Sequence, residues 1–456
     1  SYGLGAIGKD MCYGIVGTYF MIYSTDVLGI EAGILSSIIF IARFWDAIND
    51  LMMGVLIDNT RTRWGKFRPW LLIGTLINAV VLILLYKNWG LTGKQLIIVT
   101  AILYILWGMT YTIMDIPYWA MLSNFSTNKQ EREKIAVIPR IFAALGGLLV
   151  GSFGLQIVNY FGKTNEIVNG QNVIDKRQGF YIFSIVVAIV FVITILITCF
   201  NVKSADGDTS KASEKTTFKK MLEIITKNDQ LLVAILTILT FNFATQMMGN
   251  ISTYYFIYVT GSESLYTIFM LFAGISEITG LFLFPKIARY ISRKKCYLIA
   301  SIMPIIGFIL LLTIGFVAPQ NEILTALSGI LVKFGSGLQL GVVTIVLADV
   351  VDYAEYKFDS RNEGITFSLQ TLLVKITAAF STLIGGFVLS STGYVANQAQ
   401  SQATLNGMRF VMCVLPSIFI LISFFIYKKF YKLEGQYFEN IMNVLTLKRE
   451  AKKNEK

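Results

Sequence analysis

The chain has 456 residues, of which 55% are hydrophobic and only 15% charged, and its mean hydropathy is +0.63. Soluble domains carry about 25% charged residues, so this composition argues against a soluble enzyme or a nucleic-acid-binding protein. The chain has no histidine, which excludes His-ligated metal sites and every catalytic arrangement that needs an imidazole. The net charge is +11, and in so apolar a chain its meaning depends on where the basic residues lie relative to the apolar segments.

Apolar stretches of membrane-spanning length recur along the whole chain, and short polar loops separate them. Crossing the hydrocarbon core takes about 20 mostly apolar residues. The stretches are continuous, whereas the strands of a membrane barrel would alternate over about ten residues, so the pattern favours helices. We predict twelve spans, at 7–29, 32–57, 69–86, 96–124, 136–160, 179–200, 230–258, 263–284, 295–316, 321–349, 364–391 and 407–430.

The basic residues lie mainly on one side of these spans. The loops after the even-numbered spans, together with the C-terminal tail, contain 28 of the 39, whereas the opposite loops contain only Lys87, Lys94, Lys163, Lys176 and Arg177. The positive-inside rule then predicts that the even-numbered loops and both termini are cytoplasmic.

The hydrophilic stretch at 201–228 divides the spans into six and six. We predict an N-terminal six-helix bundle at 1–200, a cytoplasmic middle loop at 201–228, a C-terminal six-helix bundle at 229–430 and a cytoplasmic tail at 431–456. Any cytoplasmic loop tends to be basic, but six plus six spans with corresponding basic loops resembles the major facilitator superfamily, whose substrate sites lie near the midplane. The predicted fold class is an all-α membrane protein of twelve transmembrane helices in two six-helix bundles.

Ionisable residues inside the spans are candidate site residues, because a charge at the bilayer centre costs at least about 2.5–3.5 kcal/mol. The first half carries seven and the second half three, so we expect ion chemistry mainly in the first half. The ten residues are Lys9, Asp10, Arg43, Asp46, Asp50, Asp115, Arg140, Glu277, Lys333 and Lys375.

The second span contains two carboxylates and an amide on one helix face, because Asp46, Asn49 and Asp50 are spaced i, i+3 and i+4. Two such carboxylates repel unless a cation lies between them, and hard cations prefer oxygen ligands. The spacing predicts a coupling-cation site. The alternative is that Arg43, one turn away, pairs with Asp46 for packing, and the two arrangements can coexist.

The fourth span places Thr112, Asp115 and Trp119 on one face at i, i+3 and i+7. A carboxylate one turn from an indole suits a sugar, because the carboxylate accepts hydrogen bonds from hydroxyls and the ring packs against a pyranose. The spacing leaves open that Trp119 is an interfacial belt residue.

Five segments together resemble the glycoside-pentoside-hexuronide:cation symporter family, and the melibiose carriers within it. They extend over almost the whole chain: SYGLGAIGKD at 1–10, WDAIND at 45–50, RWGKFRPW at 63–70, WGMTYTIMDIP at 107–117 and DVVDYAEY at 349–356.

The resemblance implies roles for individual residues. The residues that match the family's Na⁺, Li⁺ or H⁺ site are Asp46, Asn49, Asp50 and Thr112. The residues that match its sugar contacts are the carboxylates Asp10 and Asp115, their cationic partners Lys9 and Arg140, the stacking ring Trp119, and Lys375 in the second half.

One position departs from the melibiose carriers, since Leu340 stands where they have a tryptophan in the tenth span. Lys333 in the same span is also unexpected. We favour an ion pair between Lys333 and Glu277, and the alternative is that Lys333 binds an anionic substrate such as a hexuronide.

The resemblance implies a multi-pass symporter of the cell membrane that imports a glycoside such as melibiose or a related galactoside. We expect Na⁺ as coupling cation, with Li⁺ or H⁺ as alternatives, no other cofactor, no nucleic-acid partner, no enzymatic activity, and a monomer embedded in the lipid bilayer. The alternative functions are transport of a pentoside or hexuronide, and a sodium-dependent lysolipid carrier of the same superfamily.

Overall fold

A computed structural model of the chain describes residues 1–456 except 59, 61, 122–128, 169–170, 203–226, 359–362 and 455–456. Long helices joined by short connections make up most of the described chain, and each predicted span overlaps one of them. Their bounds are α1 Tyr2–Ile22, α2 Ala32–Asp58, α3 Arg68–Tyr86, α4 Gly93–Ala120, α5 Lys129–Phe161, α6 Lys176–Asn201, α7 Asp229–Tyr254, α8 Glu263–Tyr290, α9 Arg293–Val317, α10 Glu322–Phe358, α11 Glu363–Ser391, α12 Gln402–Arg409, α13 Leu415–Phe430 and α14 Gly435–Asn454.

Among the described residues, ten helical segments are long and apolar enough to cross a membrane. One of the ten is the continuous rod Gln402–Phe430, in which the π-helical segment Phe410–Val414 joins α12 to α13. Helix α1 is not among the ten, and the charged residues Lys9 and Asp10 lower its hydropathy. Helix α2 includes side chains outside the described set, so the count of ten does not extend to its whole length.

The chain forms two compact units, and each unit is built from three separate stretches of the sequence. Unit 1 consists of Ser1–Ser210, Gly249–Leu271 and Thr382–Met408. Unit 2 consists of Lys211–Met248, Phe272–Ser381 and Arg409–Lys456. The predicted C-terminal bundle at 229–430 therefore contributes segments to both units.

Two elements occur where only loops or a tail were predicted. Strands β1 Lys163–Val168 and β2 Gln171–Ile174 form an antiparallel hairpin between α5 and α6. The predicted tail contains α14, whose Ile441 and Leu445 are buried in a cluster with tyrosines from the ends of α10 and α13. Apolar residues three and four apart give α14 one apolar face, and that face explains why it packs on unit 2.

Helices α1 and α7 end in the same backbone motif, which we call the end turns. Each ends in a five-residue π-helical segment, Tyr23–Val27 and Tyr255–Val259. A left-handed glycine follows two residues later, Gly29 at φ +76° and Gly261 at φ +72°, in the region that favours glycine. The two copies lie 232 positions apart in the sequence.

The hydrogen bonds of the end turns also match. The amide of Leu28 donates to the Tyr23 carbonyl at 3.1 Å, and the amide of Thr260 donates to the Tyr255 carbonyl at 3.2 Å. Further bonds of 2.9 and 3.0 Å close the wider loops, from Ile30 N to Ser24 O and from Ser262 N to Phe256 O. The same local pattern of bonds thus ends both helices.

Side chains within unit 1 join the two end turns. The hydroxyls of Tyr258 and Tyr394 donate to the carboxylate of Asp26, and Thr25 Oγ1 lies 2.8 Å from Tyr254 Oη. Burial, with the negative charge of Asp26, raises the pKa of Tyr394, so its hydroxyl keeps the proton that it donates. Polar contacts therefore connect three separate segments of unit 1.

The helices that follow the end turns also make matching contacts. Glu31 accepts a hydrogen bond of 2.7 Å from Ser390 at the end of α11. Glu263, 232 positions later, accepts one of 2.7 Å from Asn159 at the end of α5 and pairs with Lys176. Each glutamate thus ties its helix to the end of a helix from the other half of the sequence.

Candidate functional site

Lys9 lies between two carboxylates inside unit 1. Its ammonium nitrogen is 3.1 Å from Asp10 Oδ2 and 2.7 Å from Asp115 Oδ1. Helix α1 supplies Lys9 and Asp10, and α4 supplies Asp115. The structure thus brings three of the predicted sugar residues together, and we call them the Lys9 cluster.

Aromatic rings surround the ammonium group of Lys9. It lies 5.1 Å from the ring centroid of Trp119, 5.7 Å from that of Tyr111 and 5.8 Å from that of Tyr118. It also donates to the Tyr111 hydroxyl at 3.3 Å. The predicted indole therefore adjoins the cluster, and cation–π contacts help to stabilise a lysine that is only 3% exposed.

A pair of stacked tyrosines locks α1 to α4 next to this cluster. The rings of Tyr2 and Tyr118 lie 4.6 Å apart at 10°, and each hydroxyl donates to the other residue's carbonyl at 2.5 Å. Reciprocal bonds of this kind fix the register of the two helices. They hold Lys9 and Asp115 at the separation that their ion pair requires.

The charge balance of the Lys9 cluster suits a neutral ligand with many hydroxyls. One ammonium faces two carboxylates, so oxygen lone pairs remain for additional donors. The carboxylate side chains of Asp10 and Asp115 are 26% and 29% exposed, whereas that of Lys9 is 4% exposed. Sugar hydroxyls could donate to the accessible oxygens while Lys9 holds the two carboxylates together.

A second group of polar residues lies between α2 and α4, and we call it the Asp50 cluster: Arg43, Asp46, Asn49, Asp50 and Thr112. Thr112 Oγ1 donates to Asp50 Oδ1 at 3.1 Å, and Arg43 Nη1 lies 3.5 Å from Asp46 Oδ2. Asn49 Nδ2 donates to the Met109 carbonyl at 3.3 Å. The structure thus contains the packing pair predicted for Arg43 and Asp46, and it places Asp50 against Thr112.

The donor set of the Asp50 cluster is compatible with a monovalent cation. Two carboxylates, an amide and a hydroxyl supply the hard oxygen ligands that such an ion prefers. Within the described part of the chain, no group of three or more His, Cys, Asp or Glu side chains could hold a metal ion. A cation here would thus rely on neutral oxygens beside the two carboxylates.

Close packing of α4 fixes the position of Asp46. A Cβ atom added to Gly108 would lie 2.5 Å from Asp46 Oδ1, so a larger residue at this position would displace the Asp46 carboxylate. The sequence alone did not indicate a role for Gly108 or for the rings of Tyr111 and Tyr118 around Lys9. The spacing of Tyr111 and Asp115, four residues apart on α4, is a signal that would have identified the first of these rings.

The described contacts of the Lys9 cluster do not include two of the predicted sugar contacts, Arg140 and Lys375. Arg140 is exposed on α5, and no ion pair links it to another residue that the structure describes. Lys375 belongs to unit 2, where it lies partly buried on α11. Lys9 is the predicted cation that contacts both carboxylates, and the roles of Arg140 and Lys375 stay predictions.

The ion pair predicted between Lys333 and Glu277 is confirmed. Lys333 Nζ on α10 lies 3.2 Å from both carboxylate oxygens of Glu277 on α8. Both residues belong to unit 2.

Comparison with known proteins decides the family. A family model described as MFS/sugar transport protein matches residues 1–435. The chain belongs to this family. Its members are membrane transporters, which confirms the predictions that the chain is a multi-pass protein of the cell membrane and not an enzyme.

Some curated relatives of this MFS sugar transporter are named for the sugars that they carry. The lactose permease of Lactobacillus delbrueckii subsp. bulgaricus is 26% identical over 442 residues, with 94% of this chain and 69% of the relative covered. The raffinose carrier protein of Pediococcus pentosaceus is 29% identical over 448 residues, with 94% and 68% covered. These relatives support the resemblance to the glycoside-pentoside-hexuronide symporters.

A solved structure of the nucleoside transporter NupG shares the fold, with a TM-score of 0.67 and 12% identity over 94% of this chain and 99% of that one. At this identity the likeness concerns the fold alone. It agrees with the mostly helical architecture of the MFS sugar transporter.

Proposed function

We propose that this sugar transporter is a cation-coupled symporter that imports a glycoside such as melibiose or a related galactoside by alternating access. Na⁺ is the proposed coupling cation, and Li⁺ or H⁺ can take its place at the same oxygens. We further propose twelve transmembrane helices, cytoplasmic termini and a functional monomer.

The observation that carries the sugar assignment is the Lys9 cluster with its indole neighbour. Partly exposed carboxylates accept hydroxyl hydrogen bonds, and the ring of Trp119 offers a flat apolar surface to a pyranose. A lysolipid carrier would need a wide apolar groove in place of these polar groups. The cluster therefore favours a sugar.

Helix α4 supplies a physical route for coupling. It carries Thr112, which bonds to Asp50, and Asp115, which pairs with Lys9, within one helical turn. A cation at Asp46 and Asp50 would neutralise their repulsion and draw Thr112 toward itself, which orders the stretch that presents Asp115 to the sugar. Because coupling is reciprocal, sugar would raise cation affinity by the same factor.

Sugar binding by Asp50→Cys, with and without Na⁺, tests this proposal. We expect Na⁺ to increase the sugar affinity of the wild type and to have almost no effect on the variant, because a thiol is a poor ligand for a hard cation. Glu166→Gln, at an exposed position on β1, is the control and should keep the Na⁺ response. An undiminished Na⁺ response in Asp50→Cys would contradict the assignment.

A screen of sugars decides the substrate class. Uptake of α-galactosides, β-xylosides and glucuronides should be measured with Na⁺, with Li⁺ and without added cation. We expect the α-galactosides to be preferred, whereas a preference for the xyloside or the glucuronide would establish pentoside or hexuronide transport instead.

A further inference from the structure

Helix α14 packs across one end of the helices of unit 2. Its Ile441 and Leu445 lie in one buried cluster with Tyr297 near the start of α9, Tyr353 near the end of α10 and Tyr427 near the end of α13. These three helices belong to segments that are long and apolar enough to cross a membrane. Because such spans begin and end at the membrane surface, α14 lies at one membrane face of unit 2. It starts five residues after α13 ends.

A row of exposed apolar side chains runs along α14 beside its buried face, and we call it the outer stripe: Tyr437, Val444 and Leu447. These side chains are 49%, 40% and 67% exposed. Their spacing of i, i+7 and i+10 places them within about 80° of one another around the helix axis. The buried Ile441 and Leu445 lie on the neighbouring side of the helix. Helix α14 thus has two apolar faces, and unit 2 covers one of them.

The charged residues of α14 are sorted around the outer stripe. Lys448 lies at the edge of the stripe, eleven positions after its first residue, whereas Glu439 and Glu450 lie on the far side of the helix. Lys428 and Lys429 are exposed in the last turn of α13, where that span ends. A negatively charged surface on the outer stripe would therefore attract the nearby lysine and stay clear of both glutamates.

We propose that the outer stripe docks on anionic phospholipids of the membrane that unit 2 spans. The three apolar side chains enter the boundary between headgroups and acyl chains. A tyrosine suits this depth, because its ring is apolar and its hydroxyl is polar. The exposed lysines bind lipid phosphates, whereas both glutamates face water. Unit 2 and the bilayer then hold α14 from two sides.

Nitroxide labels on single cysteines test this proposal in the full-length protein. Tyr437→Cys and Val444→Cys place the label on the outer stripe. The matched controls Glu439→Cys and Thr446→Cys, each two residues further along, place it on the far side of the same helix. The four native cysteines are buried, so they can stay in place. Nanodiscs that hold one molecule each prevent a second copy of the chain from covering the stripe.

In nanodiscs that contain phosphatidylglycerol, we expect the stripe labels to collide with oxygen, which dissolves in the bilayer, and to be shielded from a water-soluble nickel complex. The control labels should show the reverse preference. In discs of phosphatidylcholine alone, or at high salt, the shielding of the stripe labels should fall, because the attraction between lysines and lipid phosphates is removed or screened.

A lysine variant tests the charge contribution separately. Lys448→Gln should lower the ratio of shielded to exposed label at position 444 about fivefold, the usual effect of one lysine near an anionic membrane. Lys163→Gln, at an exposed position on β1 in unit 1, is the control and should leave this ratio unchanged. Both substitutions affect exposed side chains, so the folded protein remains available for measurement.

Three results would overturn the proposal. Equal collision of nickel with the stripe and control labels would show that the stripe faces water. Shielding that is the same with either lipid and does not respond to Lys448→Gln would show that anionic lipid is not selected. Shielding in crowded proteoliposomes but not in single-molecule nanodiscs would show that a second copy of the chain covers the stripe. All three results are independent of the sugar and the cation, so they leave the proposed function intact.

Discussion

Helix α4 contributes residues to two charged clusters, the Lys9 cluster and the Asp50 cluster, whose carboxylates are neutralised in different ways. In the Lys9 cluster a lysine from α1 contacts both carboxylates, at 3.1 and 2.7 Å, and aromatic rings surround it. In the Asp50 cluster Arg43 pairs with Asp46, and Asp50 accepts from the Thr112 hydroxyl. Each cluster sets one basic side chain against two carboxylates, but Lys9 contacts both of its carboxylates, whereas the Asp50 cluster adds the amide of Asn49 and the hydroxyl of Thr112 as oxygen ligands. This difference suits a polyol in the first cluster and a small cation in the second.

The largest expected effect comes from Asp115→Asn, which removes one of the two carboxylates from Lys9. Sugar affinity should fall about a hundredfold, because charge-assisted hydrogen bonds worth about 3 kcal/mol are lost. Cation binding in the absence of sugar should persist, because the Asp50 cluster keeps all its groups. Calorimetric titration with sugar and with Na⁺ measures both.

Trp119→Phe is the comparison for Asp115→Asn, because it keeps an aromatic ring and leaves the carboxylates in place. It should weaken sugar binding far less than Asp115→Asn. Loss of Na⁺ binding together with sugar binding in Asp115→Asn would show that the two clusters are not chemically separate.

An intermediate effect is expected from Gly108→Ala, which reaches the Asp50 cluster without changing a ligand. The added Cβ would lie 2.5 Å from Asp46 Oδ1, so the carboxylate has to move. We expect Na⁺ affinity to fall about tenfold while sugar affinity without cation stays unchanged. Thermal stabilisation by Na⁺ and by sugar, measured separately, provides the readout.

Gly147→Ala is the matched control for Gly108→Ala, since nothing lies within 4 Å of a Cβ at that position. It should leave both affinities unchanged. An equal response of Na⁺ binding to the two substitutions would argue against a cation site at Asp46.

The smallest effect is expected from Thr112→Val, which keeps the shape of the side chain and removes the hydroxyl that donates to Asp50 at 3.1 Å. Na⁺ affinity should fall about threefold to tenfold, the usual worth of one hydrogen bond. Thr112→Ser should recover most of the loss, because it restores the hydroxyl. Equal Na⁺ affinities for the valine and serine variants would remove Thr112 from the cation site.

Hydropathy and the free-energy cost of buried charge were enough to predict the long helices and one ion pair. Long apolar stretches identified the helices, and the need to neutralise Lys333 identified Glu277 as its partner. The resemblance placed Lys9, Asp10 and Asp115 in one site, and the structure shows that Lys9 joins the two carboxylates. Such ion pairs can be predicted from the sequence because an unpaired charge inside a membrane has a high free-energy cost. This cost does not depend on which helices pack together.

Features that depend on which helices touch were not predictable in the same way. Gly108 looks like any helical glycine until Asp46 is packed against it, and the Tyr2–Tyr118 lock joins residues 116 positions apart. The β1–β2 hairpin did carry a local signal, the Asn169-Gly170 dipeptide between two strand-like runs. Helix α14 also carried one, because its apolar residues recur every three or four positions.

The two end turns bear on how the chain evolved. A shared backbone motif 232 positions apart, followed in each copy by a glutamate, is what duplication and fusion of a half-length gene leaves behind. Asp26 and Tyr258 occupy the same position in the two copies, and the tyrosine donates to the carboxylate. Two identical copies would have placed like residues opposite each other. With aspartate in one copy and tyrosine in the other, one end turn accepts and the other donates, and this division of roles needs two copies whose sequences differ.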